Sequence, residues 1–361
     1  MKYEKLLSVD PIGAFDKIKE NYLRYFRTMY KFREEGPQHL SELNKQLYGS
    51  YTEEGELIEK GIIEKDGNLF QDAFCEILPE YQPGNDELKG MLKQEDSIDW
   101  PKSFGDFVSL GLMRPPKNSK FIPYQHQFDM LKLAYGYKKN VVITSGTGSG
   151  KTESFMLPLL ASLLKEAEKW GAQDYDEQWY TRQNNNGEYD EAYQRKGENA
   201  SHIPALRALV LYPMNALVND QMERLRITLD NDKVRNFLDQ HYNKNRLFFG
   251  RYNSDTIGKK DINSGEVARQ NCSSALKNLV DRSRKISQKV QNNDLDKDAE
   301  FVAPRFPSDP AANQVGAEML TRWDMQAFPP DILITNVSML SIALMRSYED
   351  PIFDKIGRAH V

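Results

Sequence analysis

The stretch Val141–Ser154, VVITSGTGSGKTES, passes from an apolar run through a glycine-rich turn into KTESFMLPLLASLLKEAEKW, whose apolar residues recur at helical spacing. Strand, glycine-rich turn and helix, in that order, form the setting in which a Gly-Lys-Thr sequence binds phosphate. Gly146, Gly148 and Gly150 allow the backbone to curl until successive N–H groups face one anion, and the dipole of the following helix adds to their pull. Ser145, Thr147 and Ser149 complete the cradle. Lys151 is placed to reach the β- and γ-phosphates of ATP, and the Thr152 hydroxyl to ligand Mg²⁺; these two are the candidate catalytic residues. Ser145 stands where the strict form of the pattern has its first glycine, which shifts the subclass more than the chemistry. Pro158 is expected to kink the helix or tighten its first turns, because its ring removes a donor and crowds the preceding turn.

Three further apolar runs extend the pattern: Arg207–Pro213 (RALVLYP), Arg246–Gly250 (RLFFG) and Asp331–Asn336 (DILITN). Together with Asn140–Gly146 they read as strands buried on both faces of a parallel sheet, separated by longer helical stretches, which is the signature of an α/β domain. Two polar insertions interrupt it, near residues 171–204 and 255–326. The second contains an amphipathic helix in EVARQNCSSALKNLVDRSRKISQKV, whose basic residues read first as a solvated helix face.

Upstream, Asp10–Phe32 reads as a helix, with Asp10 as cap, Pro11 in the first turn and Ile12, Phe15, Ile18, Tyr22, Phe26 and Met29 on one face. A second short helix ends at Gly49, and KGIIEKDGNLF suggests a hairpin around Asp66-Gly67. A small helical accessory domain is the expectation, with a winged-helix DNA reader as the alternative. Polar sequence at Pro115–Lys120 sets the expected boundary, giving an accessory domain over 1–118 and the α/β domain over 119–354.

Across 361 residues the net charge is −5, with 39% hydrophobic and 28% charged residues. An acidic chain does not hold nucleic acid by bulk attraction, so any such binding must use a local groove and oriented amides. No apolar stretch approaches the roughly 20 residues of a membrane span, and the charged start MKYEKLLSVDP does not resemble an export signal. With no export signal and only Cys75 and Cys272, no disulfide framework is expected, and a cytoplasmic location is.

Around the phosphate loop other motifs narrow the reading. In FIPYQHQ, the Gln127 amide can pair with both N6 and N7 of adenine. ALVLYPMNALVNDQMERL places Pro213, Asn215 and Ala216 just after a strand, and PDILITNVSML does the same with Thr335 and Asn336. Small polar groups and free amides at strand ends suit a sugar-phosphate backbone. In these motifs the sequence resembles the first motor domain of the superfamily 2 DEAD/DEAH-box helicases, over about Tyr124–Arg346. SGTGSGKTE corresponds to the phosphate motif, YPMNALVNDQ and ITNVSML to nucleic-acid-contacting motifs, and FFGRYNSDT, with Tyr252 and Asp255, to the strand and turn that precede the last. The wording is most similar to bacterial DNA helicases with a C-terminal zinc-binding module.

The resemblance implies a RecA-like fold with an incomplete parallel sheet carrying helices on both faces, ATP and Mg²⁺ as cofactors, and nucleic acid, DNA before RNA, as partner. It also implies an Asp-Glu-x-His motif to orient Mg²⁺ and activate water, and arginine fingers from a second motor domain. Neither is found in the sequence. GRAH at Gly357–His360 is no substitute, since Gly357 cannot hold Mg²⁺ and Arg358 has the wrong charge for a base. KIGRAHV can instead be encoded AAG-ATC-GGA-AGA-GCA-CAC-GTC, a common short-read sequencing adapter followed in frame by a stop. Residues 355–361 are therefore expected to be adapter read-through, and the chain to be an N-terminal fragment that binds ATP without hydrolysing it. The alternatives are a non-motor ATP-binding interaction module and another phosphate-loop enzyme such as a small-molecule kinase.

Overall fold

The computed structural model describes residues 81–115, 120–146, 148–173, 201–258, 266–292 and 316–354, together with Lys17, Asn21, Arg24 and Tyr25. The chain divides into two compact units, Met1–Pro79 and Glu80–Val361. In the first unit the four described residues are helical and exposed, inside the expected Asp10–Phe32 helix. The second short helix, the hairpin and residues 355–361 lie outside the described residues, as do residues 174–200 of the first polar insertion and 259–265 and 293–315 of the second.

Pro115–Lys120 falls within the second unit, not at its edge. Helices α1 (Leu88–Gln94) and α2 (Phe104–Leu110) carry Met91, Phe104, Phe107 and Val108 into the same core as Leu157, Leu160 and Leu164. Hydrogen bonds join the two parts as well: Lys102 N–H donates to Glu168 Oε1 at 2.7 Å, and the Tyr242 hydroxyl to the Lys102 carbonyl at 2.8 Å. Each fully buried apolar side chain of this set adds roughly 1.5–3 kcal/mol, which binds residues 81–115 to the α/β unit. The boundary expected near residue 118 therefore moves to Pro79.

Next come α3 (Gln125–Leu131), continued by a π-turn over Lys132–Gly136, and α4 (Lys151–Ala167). The latter runs through Pro158 without interruption and buries it. Strand β1 (Ala208–Tyr212) leads into α5 (Asn215–Leu229) and α6 (Asp232–His241), and then β2 (Phe249–Tyr252). Helix α7 (Glu266–Gln291) precedes β3 (Glu318–Met319), α8 (Arg322–Ala327), β4 (Ile332–Asn336), α9 (Val337–Ala343) and α10 (Asp350–Asp354).

All three strand pairings are parallel, in the order β1-β4-β2-β3. This is an α/β, RecA-like arrangement. Alternation along β4 shows how it is layered: Ile332 and Ile334 enter the larger cluster with the helices α1–α6, whereas Leu333 enters a second cluster with Met325, Met339, Ala343 and Ile352. Helices thus cover both faces of β4, as its continuous apolar run predicts.

β1 departs from that expectation. Its register with β4 places Leu209 beside Leu333 and Leu211 beside Thr335, yet these two leucines are 40% and 44% exposed. Among the described residues one face of β1 is bare, and β1 is an edge of the sheet. The expected strand Asn140–Gly146 is a further correction: it joins no sheet, and Val142 is 87% exposed. An apolar run becomes a strand only when a neighbour satisfies its backbone groups.

Candidate nucleotide and nucleic-acid site

The phosphate loop takes its shape from two glycines with positive φ, Gly148 at 77° and Gly150 at 74°. At Gly148 a Cβ would meet nothing within 4 Å, so only backbone strain restricts the position. At Gly150 it would run into Nε2 of Gln127. Gly150 also precedes α4, which starts with no side-chain cap, so among the described residues the first-turn amides of that helix have no side-chain acceptor. Ser145 and Ser149 close the loop through their hydroxyls at 2.6 Å, a role for the residue that departs from the strict pattern. Exposed Lys151 donates from Nζ to the carbonyls of Ser145 at 2.6 Å and Gly146 at 3.0 Å, which folds its charge over the loop. Thr152 follows on the first turn, and Thr147 lies outside the described residues.

Gln127 lies under this loop and is only 2% exposed. Its Oε1 accepts from the Tyr124 amide at 2.9 Å, and its Nε2 donates to the Gly150 carbonyl at 3.2 Å. The geometry makes it a brace between α3 and the phosphate loop, and the adenine pairing expected of it stays a proposal. Beside it, His126 Nε2 lies 2.9 Å from the Ser149 carbonyl, and Tyr81 and Tyr124 flank the His126 ring at 5.6 and 5.5 Å. Tyr81 comes from the segment first assigned to the accessory domain.

These groups suit a polyphosphate bound with Mg²⁺. The donors are backbone amides at a helix start and one ammonium, and a single hydroxyl is enough for a cation that keeps most of its waters and takes other ligands from phosphate. Mg²⁺ would supply charge neutralisation between phosphates. The chain's own part is to orient them with the loop amides and Lys151.

Four of the five expected nucleic-acid residues sit together at the C-terminal ends of the strands. Pro213 and Ala216 are exposed just beyond β1. Asn215, half-buried, is the hub: its Oδ1 accepts from Asn336 Nδ2 at 2.6 Å, and its Nδ2 donates to Ser254 Oγ at 2.9 Å. Asn336 Oδ1 in turn caps α9 by accepting from the Met339 amide at 2.7 Å. Helix α5 begins at Asn215 with no side-chain cap, as α4 does. Thr335 corrects the expectation: it is 1% exposed, and its hydroxyl donates to the Tyr252 carbonyl, so it holds β2 to β4 and does not face outward.

Ser254 was missed because a serine in a polar loop has no periodic signal, although FFGRYNSDT already contained it. Arg251 was missed too; it donates to Asn219 Oδ1, and burial lowers its pKa against the pull of Glu318 and Asp255. Burial, followed by its bond to Glu349, pushes the Tyr252 hydroxyl well above the usual phenol range. A third missed contact spans the two halves of the site. Arg224 of α5 pairs with Glu153, the residue after Thr152, and so ties the helix that starts at the phosphate loop to the one that starts at the strand ends.

The DEAD/DEAH box helicase family matches residues 124–252. The Druantia protein DruE of Escherichia coli (strain UMEA 4076-1) is 25% identical over 373 residues, an alignment that takes in 95% of this chain and 17% of that protein. The chain thus spans about a sixth of the length of this relative. No solved structure matches. Among the described residues no helix is long and apolar enough to cross a membrane.

Proposed function

We propose, from the match of residues 124–252 to the DEAD/DEAH box helicase family, that the chain is the nucleotide-loading part of an ATP-dependent DNA helicase or translocase, at work in the cytoplasm. The observation that carries this reading is the Glu153–Arg224 pair, which ties the first turn of α4 to the body of α5, two helices that both start without a side-chain cap. One start lies at a loop shaped for phosphate and the other at a polar cluster suited to a nucleic-acid backbone. A phosphate-loop kinase has no use for the second.

In this reading the loop amides and Lys151 hold the β- and γ-phosphates, Thr152 holds Mg²⁺, and Gln127 sets the loop's height and contributes to adenine selection. Asn215, Ala216 and Asn336 bind the strand. DNA is favoured over RNA by the wording of the motifs. The bare face and free edge of β1 support a sheet that further strands complete, and with them the water-activating acid that the described residues lack. The chain by itself therefore binds ATP and single-stranded DNA but hydrolyses essentially none.

The test is direct titration of the purified chain. A fluorescent ATP analogue with Mg²⁺ should bind, and Lys151→Ala should weaken that binding roughly tenfold to a hundredfold. A labelled DNA strand should bind more tightly than RNA of the same sequence. DNA-stimulated hydrolysis by these residues alone would refute the inactive-fragment part, and absence of nucleotide binding would refute the reading itself.

A further inference from the structure

Helix α7 is the longest helix described, 26 residues, and it interrupts the sheet between β2 and β3. At 3.6 residues per turn its two sides separate cleanly. Cys272, Leu276, Leu279 and Val280 pack against Trp323, Ile257 and Leu320. Lys277, Arg282, Arg284, Lys285 and Lys289 project from the opposite side, and all five are exposed.

Three observations show that this is more than a solvated face. First, Lys277–Gln291 holds five cations and one acid, Asp281, in a chain whose net charge is −5. Second, Arg282 and Lys285 stand at i,i+3 and Lys285 and Lys289 at i,i+4, spacings at which like charges destabilise a helix by a few tenths of a kcal/mol each. None of the five forms an ion pair among the described residues to offset this. Third, the helix is anchored beside the strand-end cluster. Val267, Asn271 and Cys272 line one cleft with Asp255, Ile257 and Trp323, and Asp255 follows Ser254, the partner of Asn215. From that anchor to Lys289 the helix extends a further ~27 Å at 1.5 Å per residue, about eight phosphate steps of one DNA strand.

We infer that the exposed side of α7 is a second nucleic-acid contact, five cations spread over roughly 160° of its outer surface, that extends the track beginning at Asn215, Ser254 and Asn336 along the phosphate backbone. This rests on the nucleic-acid reading of those strand ends. The contact is electrostatic and carries no base information. An anionic membrane would be the other partner for a basic amphipathic helix, but it needs the apolar side, which here is packed against Trp323.

The experiment compares the full chain with K277Q/R282Q/R284Q/K285Q/K289Q and, separately, with Asn215→Ala. Glutamine is a good helix former, so circular dichroism should be unchanged. Binding to a labelled single strand is followed by anisotropy from about 50 to 200 mM salt, where each phosphate contact contributes a slope of about −0.7. The expected result is a slope shallower by about two to three for the fivefold variant, with ATP-analogue binding intact. Asn215→Ala, a neutral change, should weaken binding at an unchanged slope.

A fivefold variant with the parent's slope and affinity, while Asn215→Ala still weakens binding, would overturn the α7 contact and leave the strand-end site standing. A parent chain that binds no strand at all would overturn both. Capture by phosphatidylserine vesicles that depends on the five cations, with DNA binding unaffected, would overturn the proposal in favour of a membrane.

Discussion

The two ends of the parallel sheet are built from different chemistry. At the N-terminal ends of the strands, Asp331 is fully buried and accepts from Arg207 Nη1 at 2.8 Å, from His202 Nε2 at 3.0 Å and from the Phe248 amide at 2.8 Å. Arg207 also reaches Glu166 on α4 at 2.8 Å. Burial works against the Arg207 charge, and the two carboxylates outweigh it, so its pKa is raised. At the C-terminal ends the groups are neutral amides and hydroxyls, Asn215, Ser254 and Asn336, bonded to one another at the surface. A buried charge must be satisfied from within and so fixes three strands in place. A neutral, half-exposed cluster costs little to form and leaves its outer side for a ligand. On the proposed function, stability and ligand contact fall to opposite ends of the same strands, as in other open α/β sheets.

The sharpest way to break this comparison is to remove the buried carboxylate. Asp331→Ala removes one buried acceptor from each of Arg207, His202 and the Phe248 amide and should cost about 3–5 kcal/mol in urea unfolding. Asp331→Asn keeps an acceptor for the Phe248 amide and should fall between the two. If Asp331→Ala costs no more than a change at Asn215, the division of labour is wrong.

Two glycines of the phosphate loop provide the next contrast. Gly148→Ala and Gly150→Ala both place a side chain at positive φ, at about 1–2 kcal/mol each. Only Gly150→Ala also displaces Gln127 from its bond to the loop, a further ~1 kcal/mol. Unfolding should therefore separate the two variants by about that amount. Adding Gln127→Ala should recover more space in the Gly150 variant than in the Gly148 one. Equal behaviour of the pair would mean that Gln127 does not brace the loop.

Lys151→Ala is the functional counterpart of Asp331→Ala. Its ammonium is exposed and bonded only to loop carbonyls in the described structure, so stability should change by less than about 0.5 kcal/mol. Affinity for an ATP analogue should fall roughly tenfold to a hundredfold, the equivalent of one charge-assisted hydrogen bond. A variant that loses both together would show that the lysine supports the fold.

What the sequence made legible follows the same division. The phosphate loop, β1 and β4 could be read because each depends on a local pattern: glycines before Gly-Lys-Thr, or an apolar run ended by polar residues. The strand expected at Asn140–Gly146 and the two-residue β3 were misjudged because pairing is decided by neighbours far along the chain. Pro115–Lys120 has the composition of a linker, and only the packing of Phe104 and Phe107 shows that it links nothing separate. Thr335 and Asn336 carry equal weight in the motif, yet strand alternation turns one inward and the other toward α5. The Asp331 cluster went unread, since His202, Arg207 and Phe248 are brought to it only by the sheet.

The smallest expected effect on ligand affinity is at Asn215. Asn215→Ala removes the bonds to Asn336 and Ser254, but both partners are near solvent and water can replace the lost groups, so unfolding should change by less than about 1 kcal/mol. DNA affinity should fall about tenfold, equivalent to roughly 1.4 kcal/mol, because the start of α5 loses its tie to the other strand ends. Asn215→Asp separates position from contact. The carboxylate still accepts from Asn336, which preserves the fold, but its charge faces the phosphates, so DNA should bind more weakly than to the alanine variant, most of all at low salt. If aspartate binds DNA as well as asparagine, residue 215 only braces the strand ends, and the phosphate contact must come from the amides beyond it.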